Sequence, residues 1–147
     1  MPVTIRHAEP GDYAHVIAVV DEWWGGRPMA PMLPKLFFVH FRETSFVVEE
    51  EGRVVAFLCG FKSQTFADEA YIHFVGVEPG YRGAGLGREL YERFFAAVAP
   101  RRIVHAVTSP VNDGSVAFHR ALGFEVERLD EDYDGRGNAR VLLKKLL

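Results

Sequence analysis

The segment Arg82-Gly83-Ala84-Gly85-Leu86-Gly87 combines the residue types of an anion-binding turn. It follows an apolar run at 70–77 and opens an apolar-periodic stretch at 83–98, an order that predicts a strand, a tight turn and the start of a helix. Glycines let a backbone approach a ligand closely, and the first N–H groups of a helix can bind an anion. The segment therefore predicts a site for a phosphate group, and for a pyrophosphate in particular.

Two better-known phosphate motifs do not fit this segment. A dinucleotide-binding turn needs a third glycine where Arg88 stands and usually follows the first strand, whereas this turn follows about the fourth. A P-loop needs a lysine at its end, and the segment has none. The alternative is a plain strand-to-helix turn that needs its glycines only for geometry.

A second pattern, at 112–124, predicts a short helix with both ends marked. Asn112 or Asp113 can cap its start, Gly123 suits the left-handed position after its end, and Phe124 can make the accompanying hydrophobic contact. Together the two patterns resemble the GCN5-related N-acetyltransferases. In that family Arg/Gln-x-x-Gly-x-Gly/Ala precedes one helix, and an Asn precedes a later helix that bears an aromatic–Tyr pair and ends in Gly-Phe. The matching residues are Arg82, Gly85, Gly87, Asn112, Phe118, Gly123 and Phe124, and the departure is His119, where Tyr is commonest.

The resemblance implies that acetyl-coenzyme A is the cosubstrate and that backbone groups hold it. The strand before the glycine turn would bind the pantetheine arm through the main chain of Val75 and Val77, with Gly76 permitting close approach. Asn112 would hydrogen-bond the arm or its neighbouring backbone, or simply cap its helix, and Ser115 would contact the phosphate region or lie exposed. The pyrophosphate would meet the amides and charges of Arg82, Gly83, Ala84, Gly85, Leu86, Gly87 and Arg88.

Acetylation of an amine needs three events. The acceptor ammonium must lose a proton, the thioester carbonyl must be polarised, and the leaving thiolate should be protonated. His119 replaces the family's Tyr as the thiolate acid, or else only hydrogen-bonds the coenzyme or caps a neighbour. The base is predicted to be His73, which shares an alternation face with Val75 and Val77, or next Glu69, which could hold a water. The alternative for His73 is a structural residue of an apolar strand.

Acceptor recognition in the family usually falls to the first two helices, their loop and the last hairpin. Trp24 is predicted to pack in the core, which leaves Trp23 as the wall of a pocket. The acidic hairpin at 130–134 would attract a cationic amine or would only be solvated, whereas Arg27 would select a carboxylate. The predicted acceptor-binding residues are Trp23, Arg27, Tyr71 and Tyr133.

Length, charge and cysteine content limit the class of protein. A chain of 147 residues is predicted to be one domain, 1–147, and its net charge of −3 does not suggest nucleic-acid binding. The single cysteine, Cys59, excludes an internal disulfide and fits a cytoplasmic enzyme. No signal-like start or membrane-length apolar run is present, so no membrane partner is expected. The histidines lack the grouping of a metal site, so no metal is predicted, and a homodimer stays open.

The apolar pattern predicts an α/β fold with the order β-α-α-β-β-β-α-β-α-β-β. Helices are predicted from Asp12, as the cap, to Trp24, and within 31–41, 83–98 and 112–123. The resemblance implies the same order, folded as a mixed, twisted sheet of about seven strands with helices on both faces. Strands are predicted at 3–7, 46–50, 54–61, 70–77, 103–107, 126–129 and 139–146.

We therefore predict an acetyl-CoA-dependent N-acetyltransferase that moves an acetyl group to a primary amine of a small molecule or peptide. Direct attack in a ternary complex is favoured because no conventional nucleophile stands in the two motifs. Two alternatives stay open. One is a non-catalytic acyl-CoA-binding sensor, and the other is an acyltransferase that uses a longer acyl group or a hydroxyl acceptor.

Overall fold

The computed structural model describes residues 3–110 and 112–147. Its strands are β1 (Thr4–His7), β2 (Phe46–Glu50), β3 (Arg53–Lys62), β4 (Glu69–Val77), β5 (Ile103–Thr108), β6 (Glu125–Asp130) and β7 (Arg140–Leu146). Its helices are α1 (Asp12–Trp23), α2 (Leu36–Val39), α3 (Leu86–Val98) and α4 (Asp113–Ala121), with 3-10 turns at Ala30–Met32, Arg42–Thr44 and Pro79–Tyr81. The predicted order of strands and helices is confirmed.

The strands form a mixed sheet in the order β1-β2-β3-β4-β5-β7-β6. β4 and β5 pair in parallel, whereas β7 pairs antiparallel with both β5 and β6. The β4–β5 register runs from the Glu69↔Ile103 pair to the Ile72↔Ala106 pair, which is the first four residues of β4. The predicted seven-stranded mixed sheet is confirmed.

The described residues up to Phe61, together with Phe74–Val98, form one compact unit. Its hairpin turns at Glu51 and Gly52, which both have positive φ and so match the right-handed twist of β2 and β3. Its aromatic-rich core is built by α1, α2 and the strands and includes Val16, Val20, Leu33, Phe37, Phe38, Val47, Phe57 and Phe74.

Three details of the first helices differ from prediction. Asp12 is the first residue of α1 and not its cap, since Gly11 stands at that position. Trp23 is 4% exposed and is itself a core residue, so the prediction that it forms the wall of a pocket is wrong, whereas Trp24 is half-buried and packs against the same core. Val16, Val20 and Trp23 lie on one helical line, and α1 ends before Trp24.

Asp12 is nonetheless a structural anchor of this unit. Its carboxylate accepts bonds at 2.9 Å from both terminal nitrogens of Arg6 and at 2.8 Å from the backbone N–H of Glu9. Arg6 also reaches Glu49 of β2 at 3.3 Å. The ion pair therefore joins the start of α1 to two neighbouring strands.

Lys62–His73 and Ala99–Leu147 form the second compact unit, which contains the first half of β4, β5, α4, β6 and β7. The alternating burial of β5 places Val104 and Ala106 in its core, and β7 contributes Leu143. Arg101 closes the segment before β4, where its guanidinium donates to the backbone carbonyls of Ser63 and Glu69. Among the helices of the described residues, none is long and apolar enough to cross a membrane.

Candidate active site

The predicted anion-binding turn consists of the 3-10 turn at Pro79–Tyr81, an extended Arg82 and a loop that leads into α3. Gly83 and Gly85 have φ angles of +86° and +84°, in the left-handed region that favours glycine. A Cβ added to either would meet no heavy atom of the described residues within 4 Å. The backbone conformation therefore needs these glycines, and the space above the loop is open to a ligand.

Helix α3 begins at Leu86, three residues later than predicted, because residues 83–85 form the loop. The N–H of Glu89 donates to the carbonyl of Gly85 at 3.1 Å, which closes the first helical turn. Helical geometry gives Leu86 and Gly87 no acceptor one turn back, so their N–H groups and the positive end of the helix dipole favour an anion there. The predicted strand, turn and helix N-terminus are confirmed.

Arg82 uses its guanidinium within the protein. Its Nη2 donates to the carbonyl of Trp23 at 2.7 Å, and its Nε donates to the carbonyl of Val77 at 3.2 Å. These bonds tie the end of α1 to the end of β4 at the entry to the loop. Arg82 therefore holds the loop in place through these bonds, and it is exposed, as are Ala84 and Arg88.

The alternation predicted for β4 is present. Ile72, Phe74 and Gly76 are buried on one face, and the other face carries half-buried side chains at Tyr71, His73, Val75 and Val77. The side-chain position of Gly76 therefore lies on the face of β4 opposite to the one that carries Val75 and Val77. A Cβ on Gly76 would lie 2.6 Å from Phe57 and 2.9 Å from Trp24.

The second motif forms the helix that was predicted, with both ends as expected. The Asn112 side chain accepts a bond from the N–H of Ser115 at 3.0 Å and so caps α4. At the other end Gly123 has φ +93°, its N–H donates to Arg120, and the N–H of Phe124 donates to His119, each at 3.0 Å. This is the Schellman arrangement of a helix end.

His119 is part of that helix end. It is 6% exposed, its ring lies 5.1 Å from that of Phe124, and its Nδ1 donates to the carbonyl of Ser115 at 2.7 Å. Burial lowers the pKa of His119, against a smaller opposing effect of the bond to Ser115. The neutral ring therefore carries its proton on Nδ1, and a donor role for Nε2 would need the imidazolium form. This geometry favours the structural alternative over the thiolate acid.

Glu69 has a partner that the sequence analysis missed. Its Oε1 lies 2.7 Å from Nε2 of His105, and each side chain is 26% exposed. Alternation on the two strands was the available signal, but it needed the parallel register in which Tyr71 opposes His105. The pair lies on the β4 face that also carries His73.

Two of the predicted acceptor-binding residues are brought together. The Tyr71 hydroxyl hydrogen-bonds to Tyr133 of the β6–β7 segment, and burial, together with that neighbour and Asp134, raises the pKa of Tyr71. Asp134 in turn pairs with Nε of Arg140 at 2.8 Å. Tyr133 itself is 40% exposed, and Arg27 is exposed at the end of α1. Within residues 3–110 and 112–147, no group of three or more His, Cys, Asp or Glu could hold a metal ion.

The family model and the similar proteins described next agree on one family. The sequence model of the Acetyltransferase (GNAT) family matches residues 9–124. The 5-NmdU N-acetyltransferase of Pseudomonas phage PaMx11 is 34% identical over 93 residues, which are 63% of this chain and 64% of that protein. The L-2,4-diaminobutyric acid acetyltransferase of Virgibacillus pantothenticus is 38% identical over 74 residues, 49% of this chain and 46% of that protein. The matches thus span less than two thirds of either relative.

A solved structure shares the fold over the whole chain. Ard1 from Thermoplasma volcanium superposes with a TM-score of 0.83 at 20% identity and covers 100% of this chain and 99% of its own. At that identity the likeness concerns the fold alone.

Proposed function

The chain belongs to the GNAT acetyltransferase family, and we propose that it transfers an acetyl group from acetyl-coenzyme A to a primary amine. The acceptor is an amine of a small molecule or a peptide, and it attacks the thioester directly in a ternary complex. The observation that carries this proposal is the glycine loop at the start of α3. Its left-handed glycines, its open face and the adjacent helical N–H groups suit the pyrophosphate of the coenzyme.

The outer half of β4 supplies the pantetheine contacts. The β4–β5 register covers Glu69 to Ile72, so Val75 and Val77 lie beyond it on the strand that leads into the glycine loop. Their main-chain groups bind the arm, and the loop residues Gly83 to Arg88 bind the pyrophosphate. The family resemblance also assigns Asn112 and Ser115 to the coenzyme. Arg82 contributes by holding the loop through its two carbonyl bonds.

Direct attack is favoured over an acyl-enzyme because the lone cysteine is unsuited to nucleophilic chemistry. Cys59 is 1% exposed, and burial raises its pKa, so the thiolate does not form near neutral pH. The acceptor nitrogen therefore forms its bond to the acetyl carbon as the carbon–sulfur bond of the coenzyme breaks.

A primary amine is the acceptor class that the relatives favour. The Virgibacillus relative is named for L-2,4-diaminobutyric acid, whose two amino groups are both primary. The Tyr71–Tyr133 contact offers aromatic surface to such a cation, while the nearby carboxylate of Asp134 is already paired with Arg140. Arg27, exposed after α1, would bind an acceptor carboxylate. The predicted cytoplasmic location, single-domain organisation and homodimer remain predictions.

The test is thiol release from acetyl-coenzyme A across polyamines, amino acids, aminoglycosides and short peptides, with coenzyme binding measured by calorimetry. Gly85→Ala should weaken coenzyme binding, because alanine disfavours φ +84° by about 1–2 kcal/mol, so the free loop leaves this conformation and the coenzyme must restore it. This costs about fivefold to 30-fold in affinity. Gly80→Ala is the matched control, since a Cβ there also meets open space but φ is not in the left-handed region. Binding without turnover would support the sensor alternative, and no binding would refute the proposal.

A further inference from the structure

The Glu69–His105 pair joins the first residue of β4 to the middle of β5. The Oε1 to Nε2 distance of 2.7 Å is that of a charge-assisted hydrogen bond. Both side chains are about three-quarters buried, so water weakens the interaction less than it would at a surface. A carboxylate on one imidazole nitrogen fixes the tautomer with the proton on that nitrogen.

The sheet register gives the remaining neighbours of His105. Tyr71 opposes it on β4 and Lys144 opposes it on β7, with Glu125 opposite Lys144 on β6. The charged or titratable groups that face His105 across the sheet are thus Glu69, Tyr71 and His73 on β4 and Lys144 on β7. Among these groups, Glu69 contacts the imidazole of His105 through its Nε2 atom.

We propose that His105 is the general base that deprotonates the acceptor ammonium, and that Glu69 is its positioning residue; this rests on the proposed function. With Nε2–H donated to Glu69, Nδ1 holds the lone pair that accepts the proton. The carboxylate also stabilises the imidazolium that then forms, as it does in the Ser-His-Asp triad. His105 thereby takes the role that the sequence analysis gave to His73 and Glu69.

The proton and electron pairs balance through the step. His105 takes one proton from R–NH3⁺ to give R–NH2 and the imidazolium. The nitrogen lone pair forms the C–N bond, and the C–S electron pair leaves with the coenzyme thiolate. The nitrogen then gives up its second proton, and the thiolate takes up one proton. The products are the acetamide and the free thiol, and the proton on His105 returns to solvent.

The position of the pair on the sheet agrees with this role. The Tyr71↔His105 pair is next to the last pair of the β4–β5 register, and Tyr71 is bonded to Tyr133. His73 lies two residues further along β4 on the same face, about 7 Å away at the usual strand rise. Two histidines therefore compete for the assignment, and substitution separates them.

The decisive variants are His105→Gln and His73→Gln, with His40→Gln as a control on the exposed end of α2. Glutamine at 105 can still donate to Glu69 but cannot accept a proton from the ammonium at neutral pH. We expect His105→Gln to lower kcat/KM at pH 7 by about 10²–10⁴-fold, while coenzyme affinity and thermal stability stay close to those of the unmodified protein. The loss should shrink as the pH approaches the pKa of the acceptor amine.

Glu69→Gln tests the positioning role. Because the carboxylate holds the proton of His105 on Nε2 and leaves Nδ1 to accept, its loss should lower kcat while KM and coenzyme affinity stay close to those of the unmodified protein, and Glu69→Asp should restore part of kcat. A purely structural role would instead lower thermal stability and coenzyme affinity together with kcat. If the unmodified protein turns over and His105→Gln keeps that activity, the assignment of His105 is overturned but the proposed function is not. The same holds if activity is lost only in His73→Gln. No thiol release from the unmodified protein with any amine overturns the proposed function and the assignment together.

Discussion

Gly76 lies against the indole ring of Trp24, and a methyl group at this position would come within 2.9 Å of two ring carbons. The same methyl group would lie 2.6 Å from Phe57. Phe57 and Trp24 also pack on Phe74, with ring centroids 5.7 and 5.0 Å away. The absence of a side chain at Gly76 therefore serves aromatic packing under β4, a use that the predicted contact with the coenzyme did not include.

Gly76→Ala should destabilise the protein by about 1–3 kcal/mol, because two rings must move to admit the methyl group. Thermal unfolding would show this as a fall in Tm of about 2–4 °C per kcal/mol for a chain of this size. Gly80→Ala serves as control, because a Cβ there meets open space. An unchanged Tm in Gly76→Ala would contradict the packing at this site.

Arg82 should not be replaceable by lysine. Arg82→Lys keeps the positive charge but loses the planar fork that donates to the carbonyls of Trp23 and Val77. We expect a loss of about 1–3 kcal/mol in unfolding free energy and weaker coenzyme binding, equally in Arg82→Lys and Arg82→Ala. The measurements are urea unfolding and calorimetry, with the exposed Arg93→Lys of α3 as control. Full coenzyme affinity in Arg82→Lys would instead show that the charge acts on the pyrophosphate.

Local sequence patterns predicted the strands and the two motifs because those features depend on near neighbours. The alternation of β4 and the Gly-Phe end of α4 each follow from residues a few positions apart. The helix predicted at 31–41 failed for a local reason that was visible: Pro34 forces Leu33 into extended backbone, so a 3-10 turn and the four-residue α2 replace it.

The features that escaped prediction depend on contacts between distant segments. The burial of Trp23 over Trp24 depends on the residue at which α1 ends. The roles of Arg82 and Gly76 depend on which carbonyls and rings lie beside them. The Glu69–His105 pair needs the β4–β5 register, and neither strand's own pattern specifies it.

Asp12 should make stability depend on acid pH. Burial would raise the pKa of Asp12, but the bonds from Arg6 and the N–H of Glu9 outweigh this and lower it. Its contribution is therefore complete above the unfolded pKa of about 3.9 and is lost as the pH falls through the lower folded value. Asp12→Asn should cost about 1–3 kcal/mol at pH 7.

Urea unfolding at several values between pH 7 and pH 2 checks this prediction. The stability of Asp12→Asn should fall less with acidification than that of the unmodified protein. Glu92→Gln, on the exposed face of α3, is the control. Parallel stability curves for the unmodified protein and Asp12→Asn would contradict the role of the Arg6–Asp12 pair.

His119 should lower the stability of the folded protein in mild acid, whereas a histidine with an anionic partner would raise it. Because burial lowers its pKa, the unfolded chain binds a proton near pH 6.5 that the folded protein does not. The folded state should therefore lose stability as the pH falls below about 6.5, until the folded pKa is reached. His119→Phe removes the titration, so the difference in unfolding free energy between pH 7 and pH 5 should be smaller in the variant.

The same variant, His119→Phe, tests whether His119 protonates the leaving thiolate. If His119 only closes α4, thiol release should persist within a few-fold, whereas a fall of about 10²-fold or more would restore it as the thiolate acid.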